Sequence, residues 1–175
     1  MDQSIALYFL NLEGTIVHEI SSIVSGRAYI LISSMIFIVY AFIKMKKGFI
    51  PFIITVIISV SLSDIVCYRI LKPSIGRLRP KIELNIYEKK STYQGKDYSM
   101  PSNHASNIFA FFIVYLLFVK KFWPFSLLNS LIISFSRVVL VKHYPSDVMA
   151  GIVMGAAAGL VIASLVNRVQ KKWFL

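Results

Sequence analysis

Apolar residues in this chain gather into long runs rather than alternating with polar ones. Five stretches are long enough to be read as membrane spans: Ala28 to Ile43, Phe49 to Leu71, Ala105 to Val119, Phe125 to Val141 and Val148 to Val166. Crossing the hydrocarbon core takes about 20 apolar residues, and fewer where flanking Lys or Arg side chains reach back to the interface. Residues 2–20 are also apolar but are broken by Glu13, Gly14, His18 and Glu19. They read as an amphipathic helix lying in the interface, with a sixth span as the alternative. The pattern predicts an all-α fold: a polytopic transmembrane helix bundle of five spans plus the N-terminal interfacial helix, in a single domain over residues 1–175.

Composition strengthens this picture. The chain is 57% hydrophobic, with a mean hydropathy of +0.69, too apolar for an ordinary soluble domain of 175 residues. A net charge of +11 would suggest nucleic acid in a soluble protein. Here it points to membrane orientation and an anionic lipid bilayer, and no nucleic-acid partner is expected. Cys67 is the only cysteine, which excludes an intrachain disulfide. The opening "MDQSIALYFL" lacks a basic leader and a small-residue cleavage site, so no removable signal peptide is expected.

Basic loops set the expected orientation. Lys44, Lys46 and Lys47 join spans one and two, Lys120 and Lys121 join spans three and four, and Arg168, Lys171 and Lys172 follow span five. All lie on one side of a five-span arrangement, which makes that side cytoplasmic. The opposite side receives loop 72–101, a partly polar insertion, and the short loop 142–147. Gly151, Gly155 and Gly159 recur at four-residue spacing in span five, a face on which a neighbouring helix can approach closely.

Three polar blocks fall at that opposite side. They are "KPSIGRLRP" (72–80), "PSNH" (101–104) and "SRVVLVKHYPSD" (136–147). Together they supply fixed cations, two imidazoles and a carboxylate. Cations gathered against their mutual repulsion imply an anionic ligand, and guanidinium geometry suits phosphate. Pro101 and Pro145 fit the first turns of spans three and five, whose amide-rich N-termini would then face the site, with Ser102 and Asn103 adding contacts. Phosphoryl transfer needs a nucleophile, cations for the equatorial charge, and an acid for the leaving oxygen. His143 fits the nucleophile, with Asp147 four residues on to accept a hydrogen bond from its ring. Arg137 binds phosphate, and His104 protonates the departing oxygen and then activates water.

These blocks resemble the signature of the type-2 phosphatidic acid phosphatase family. "K-x6-RP" matches Lys72, Arg79 and Pro80. "PS-x-H" matches Pro101, Ser102 and His104, and "SR-x5-H-x3-D" matches Ser136, Arg137, His143 and Asp147. The resemblance covers roughly residues 72–147. It implies metal-independent hydrolysis of a lipid phosphate ester or pyrophosphate through a phosphohistidine, with no cofactor. It makes His143 the nucleophile, Asp147 its partner, His104 the acid and base, and Lys72, Arg79, Ser102 and Arg137 phosphate ligands. It also implies a bacterial inner membrane location with the site facing the periplasm or cell exterior. Asn103 stands where the family usually has glycine; its backbone N–H still serves, and its amide is a further candidate contact. Compact size and Asn103 lean the substrate toward lipid A phosphate. Phosphatidylglycerophosphate, undecaprenyl pyrophosphate and phosphatidic acid are the other candidates, and no protein partner is inferred.

Remaining polar residues carry plainer readings. Asp64 and Arg69 near the outer end of span two are left outside the site, as groups that snorkel or pair locally. Arg77 reads as a solvated or headgroup contact, Lys142 as a surface lysine, and His18 as an interfacial residue. Loop 81–100, with Glu88, Lys89, Lys90, Lys96 and Asp97, is read as either a lid or a solvated connector. Two other mechanisms use the same residues. One is a zinc hydrolase on His104, His143 and Asp147, disfavoured by the neighbouring cations. The other is an anionic-lipid carrier without hydrolysis.

Overall fold

A computed structural model describes residues 1–84, 86, 94 and 96–174, without the side chains of Lys47 and residues 169–174. Its helices are α1 (Asp2–Leu10), α2 (Ile16–Val24), α3 (Arg27–Met45), α4 (Phe49–Ile65), α5 (Lys72–Ile75), α6 (Pro80–Glu83), α7 (Asn103–Phe118), α8 (Trp123–Val139) and α9 (Pro145–Phe174). Among the described residues the only β pairing is an isolated antiparallel bridge between Leu78 and Tyr98. Of the lid or connector expected over 81–100, residues 85, 87–93 and 95 lie outside the described residues.

The five apolar runs are five apolar helices. Three are long and apolar enough to cross a membrane: Arg27–Met45, Phe49–Ile75 and Pro145–Arg168. Helices α7 and α8 are shorter, at 16 and 17 residues. At about 1.5 Å per residue α7 reaches about 24 Å, less than the hydrocarbon thickness of about 30 Å.

Two expected boundaries move for physical reasons. The second run does not stop at Leu71. It continues through a wide π-helical turn, Val66–Leu71, into α5, making Phe49–Ile75 one apolar rod. Pro73 cannot donate to the carbonyl one turn back, and a widened turn just before it absorbs that defect. The N-terminal segment is two helices rather than one. Residues 11–15 form turns, with Gly14 at φ +82°, a left-handed value that glycine adopts without a Cβ clash.

Glycines fix how α7 and α9 pack. A Cβ on Gly151 would lie 2.6 Å from the Ser102 carbonyl oxygen, one on Gly155 1.9 Å from that of Ser106, and one on Gly159 2.9 Å from that of Ala110. Each step of four on α9 meets a step of four on α7, so the two helices run parallel and begin at the same end. Ser106 also meets α4: its hydroxyl is hydrogen-bonded to Ser63 Oγ and accepts from Cys67 Sγ at 3.2 Å.

The opposite end is aromatic. Phe52 of α4 packs on Phe118 of α7 with ring centroids 6.0 Å apart, and Phe37 of α3 meets Tyr115 edge-on at 5.1 Å. Because α4 and α7 are antiparallel, this aromatic end lies far from residues 72–79, 99–104 and 137–147. The outer surface is strongly apolar: Leu31, Ile32, Met35, Phe42, Ile57 and Val153 are all more than half exposed. Such a continuous surface suits lipid, not water.

Candidate active site

The site is built where α7 and α9 start and α8 ends. Helix α8 closes with Lys142 and His143 both donating their backbone N–H to the Arg137 carbonyl, at 3.1 and 3.2 Å. That reversal needs a left-handed residue, and Val141 supplies it at φ +52°. A β-branched residue there is strained by about 1–3 kcal/mol, so the surroundings must hold it. Val141 is fully buried against Ala6 and Tyr144. The strained turn fixes His143 beside the first turn of α9.

Helix α9 begins with Pro145 at its first position, as expected. Pro101 does not sit in a helical turn. It precedes the cap of α7 through a cis bond from Met100, and Ser102 is the cap residue. The Ser102 N–H donates to the Asp147 carbonyl at 3.0 Å, tying the two helix starts together.

Each expected site residue lies in this region. Lys72 is 2% exposed, with Nζ donating to the Tyr98 carbonyl at 2.8 Å and the Ser99 carbonyl at 3.3 Å. Arg79 donates through Nε to the Lys96 carbonyl at 2.8 Å and through Nη1 to the Lys142 carbonyl at 3.2 Å. Arg137 is buried, and its Nη1 is hydrogen-bonded to Ser25 Oγ of the turn after α2. Asn103 directs its amide sideways, donating to Asp64 Oδ1 at 2.9 Å. Ser102 Oγ, Arg137 Nε and His143 Nδ1 are buried and find no protein partner among the described residues.

Charge converges on His143. Burial first, and then the charges of Arg79, Lys72, Arg137 and His104, hold its imidazole well below the ordinary value of 6.5. Lys142, an exposed side chain as expected, is also lowered, by partial burial and then by Arg137, Arg79 and Lys81. Residues from all three polar blocks therefore share one electrostatic site. Its excess of cations favours an anion.

Asp147 departs from the expected geometry. Its Oδ2 lies 3.8 Å from His143 Nδ1, beyond hydrogen-bond reach. Oδ2 instead accepts the Tyr144 N–H at 2.8 Å, and Oδ1 accepts from Arg77 Nη1 at 3.0 Å. Arg77, expected as a solvated or headgroup contact, is thus only partly exposed and is engaged inside the protein. It also donates to Ser146 Oγ at 2.6 Å and to Asp2 Oδ2 at 2.9 Å, and its guanidinium lies 4.0 Å from the centre of the Tyr144 ring. Sequence spacing carried no signal for it: Arg77 reaches the site because residues 77–79 pair with 97–99 around the Leu78–Tyr98 bridge.

Asp64 was also left out of the expected site. It accepts from Asn103 and Asn107 Nδ2, both at 2.9 Å, one on each side of His104. The spacing of the two asparagines, one helical turn, was the available clue. Among the described residues, no group of three His, Cys, Asp or Glu side chains is arranged to hold a metal ion. The zinc arrangement on His104, His143 and Asp147 is therefore not supported by the donor geometry.

Comparison with known proteins places the chain in a family. Residues 52–171 match the model of the PAP2 superfamily. The chain is 27% identical over 128 residues to a lipid A 4'-phosphatase of Bacteroides thetaiotaomicron, covering 69% of this chain and 56% of that protein. It is 30% identical over 135 residues to an undecaprenyl-diphosphatase of Sulfolobus acidocaldarius, covering 75% and 61%. The chain thus spans somewhat over half the length of these relatives. In fold it is similar to the crystal structure of a transmembrane PAP2-type phosphatidylglycerolphosphate phosphatase from Bacillus subtilis. The TM-score is 0.66 at 17% identity, over 96% of this chain and 85% of that one.

Proposed function

The chain belongs to the PAP2 superfamily, and on that premise we propose that it is a metal-independent membrane lipid phosphatase working through a phosphohistidine. The observation that carries this reading is the convergence of the buried Lys72 and Arg137 and the half-buried Arg79, from three segments of the chain, on the buried His143. The buried Ser102 Oγ and Arg137 Nε, which no acceptor among the described residues satisfies, are available as donors to an anion.

In this mechanism Lys72, Arg79, Arg137 and the Ser102–Asn103 cap hold the phosphate oxygens. The Nε2 atom of His143 attacks phosphorus as the P–O ester bond breaks. His104 gives its proton to the departing oxygen. Water then attacks the phosphohistidine, His104 takes its proton, and inorganic phosphate leaves with His143 restored. The Asp147 carboxylate, beside Nδ1, stabilises the imidazolium that forms on attack.

A lipid substrate is favoured by an apolar cavity of about 490 Å³ among α3, α4, α7 and α8. The cavity is lined by His104, Asn107 and Phe111 of α7 together with Ile38 of α3, Val60 of α4 and Ile133 of α8, so an acyl chain seated there would lie beside the acid. Lipid A phosphate and phosphatidylglycerophosphate are the preferred substrates, with undecaprenyl pyrophosphate and phosphatidic acid as alternatives. The chain acts as one domain in a bacterial inner membrane. Five crossings would place the site at the periplasmic or outer face.

The test is phosphate release by purified protein from those four lipids with EDTA present. His143→Ala should abolish release and remove the base-stable, acid-labile phosphoenzyme, while the variant keeps its helical content. Release that survives His143→Ala would refute the nucleophile. Movement of lipid across vesicles without any release would favour a carrier.

A further inference from the structure

The N-terminal helix touches the reaction centre at several points, and Arg77 links one of them to Asp147. Arg77 makes four polar or ring contacts, and none is with another cation of the site. It binds Asp147 Oδ1 at 3.0 Å, Ser146 Oγ at 2.6 Å and Asp2 Oδ2 at 2.9 Å, and it lies over the Tyr144 ring at 4.0 Å. Ser146 Oγ closes the circuit with its own hydrogen bond to Asp2 Oδ2. Arg79, two residues on, grips main-chain carbonyls of Lys96 and Lys142 instead. The two neighbouring arginines therefore do different work.

Asp147 is fully buried, and its two oxygens are divided. Oδ1 is held by Arg77; Oδ2 is held by the Tyr144 N–H and faces His143 Nδ1 at 3.8 Å. Rotation of the carboxylate is thereby fixed by a residue that is itself anchored on α1. The outer end of the clamp is reinforced by two more contacts. Tyr144 Oη donates to Glu83 Oε2 at 2.9 Å, and Gln3 of α1 donates to Glu83 Oε1 at 3.0 Å.

We propose that Arg77 is a positioning residue for the proposed phosphoryl transfer: anchored by Asp2 of α1, it orients the Asp147 carboxylate toward His143 and moderates its charge. The inference rests on the phosphatase reading for its kinetic consequence. Its geometric content, a coupling between Arg77 and the His143 ring, can be tested without turnover. His143 is faced by Lys72 at the end of the α4 rod, Arg79 of the loop, Arg137 of α8, His104 of α7 and Asp147 of α9. Removing Arg77 deletes a nearby cation and leaves His143 as the group that can balance the buried Asp147 carboxylate, and both changes favour the imidazolium.

The experiment compares wild type, Arg77→Gln and Arg77→Lys in detergent with ¹⁵N-labelled histidine. The chain has three histidines, so His143 can be assigned by its loss in His143→Ala. In Arg77→Gln the His143 titration should move up toward 6.5. Arg77→Lys, which keeps the charge but cannot reach three acceptors, should lie between. Where phosphate release is measurable, kcat should fall about 100-fold, the effect of misplacing a reacting group by about 1 Å. KM and competitive inhibition by inorganic phosphate should stay within about twofold, because Arg77 is not a phosphate ligand. An unmoved His143 titration in Arg77→Gln overturns the proposal even if the variant is less stable. Weaker inhibition by inorganic phosphate with unchanged kcat also overturns it, making Arg77 an anion ligand. A shifted titration in a protein that cleaves no lipid phosphate supports the coupling and instead refutes the phosphatase reading.

Discussion

Replacing Gly155 with alanine tests whether helix packing positions the site. The added Cβ would stand 1.9 Å from the Ser106 carbonyl oxygen, where real Cβ contacts essentially never fall below 3.0 Å. The obstacle is backbone, which cannot rotate away, so α7 and α9 must separate by about 1 Å. Overpacking of this kind costs about 1–3 kcal/mol. The functional cost should be larger, because these two helices carry His104 and Asp147 in their first turns and are joined there by the Ser102 N–H to Asp147 carbonyl bond of 3.0 Å. A misplacement of about 1 Å costs about 100-fold in rate. The same distances rank the seam. Gly151→Ala meets the Ser102 oxygen at 2.6 Å and should be intermediate, and Gly159→Ala, at 2.9 Å, should be mildest. Phosphate release and thermal unfolding in detergent, measured for all three variants, give the order. A Gly155→Ala protein with wild-type rate and unchanged Tm would refute the reasoning, as would a Gly159→Ala variant equally damaged.

Four further outcomes follow from the site. His143 is held well below 6.5 by burial and surrounding cations, so the acid limb of kcat/KM should lie below pH 6.5. The same depressed value makes the folded state resist protonation: the stability this group contributes is complete above 6.5 and is lost as pH falls from 6.5 toward the folded pKa, which unfolding scans against pH would register. Asp64→Ala strips the acceptor from the half-buried Asn103 and Asn107 amides, a loss of about 1 kcal/mol each, at the low end for an unpaired donor; an unchanged Tm would remove Asp64 from the structural account. Tyr144→Phe deletes the hydrogen bond to Glu83 but keeps the ring under Arg77, so it should lower stability by about 1 kcal/mol and leave kcat within about twofold, whereas Tyr144→Ala should reduce both.

The helices were legible because apolar runs have little freedom once the solvent is lipid. Arg27–Met45 against an expected Ala28–Ile43, and Trp123–Val139 against Phe125–Val141, differ only by one or two residues at each end. The π-helical turn before Pro73 was not legible, since a proline signals a defect without saying where the helix absorbs it. Nor was the split in residues 2–20, because Gly14 permits a reversal but does not demand one. In the site, spacing pointed to His104, His143 and Asp147 because chemistry restricts which residue types do this work. Spacing could not reveal that Asp147 bonds Arg77 and the Tyr144 N–H rather than the His143 ring. Those partners lie 70 residues away and 3 residues away, and side-chain rotation decides between them. Asp2 was invisible for the same reason: its arginine partner is 75 residues off along the chain.

Cys67 offers an unplanned gauge of how the bundle breathes. As the chain's sole thiol, sealed between α4 and α7 one short contact from Ser106, it is shielded from any alkylating reagent while the helices stay closed. Capture by a maleimide would therefore proceed at the frequency of helix parting rather than of chemical encounter whenever reagent is abundant. A ligand that clasps the starts of α7 and α9 should slow that capture, so a single mass measurement would report occupancy in a native membrane without purification or turnover.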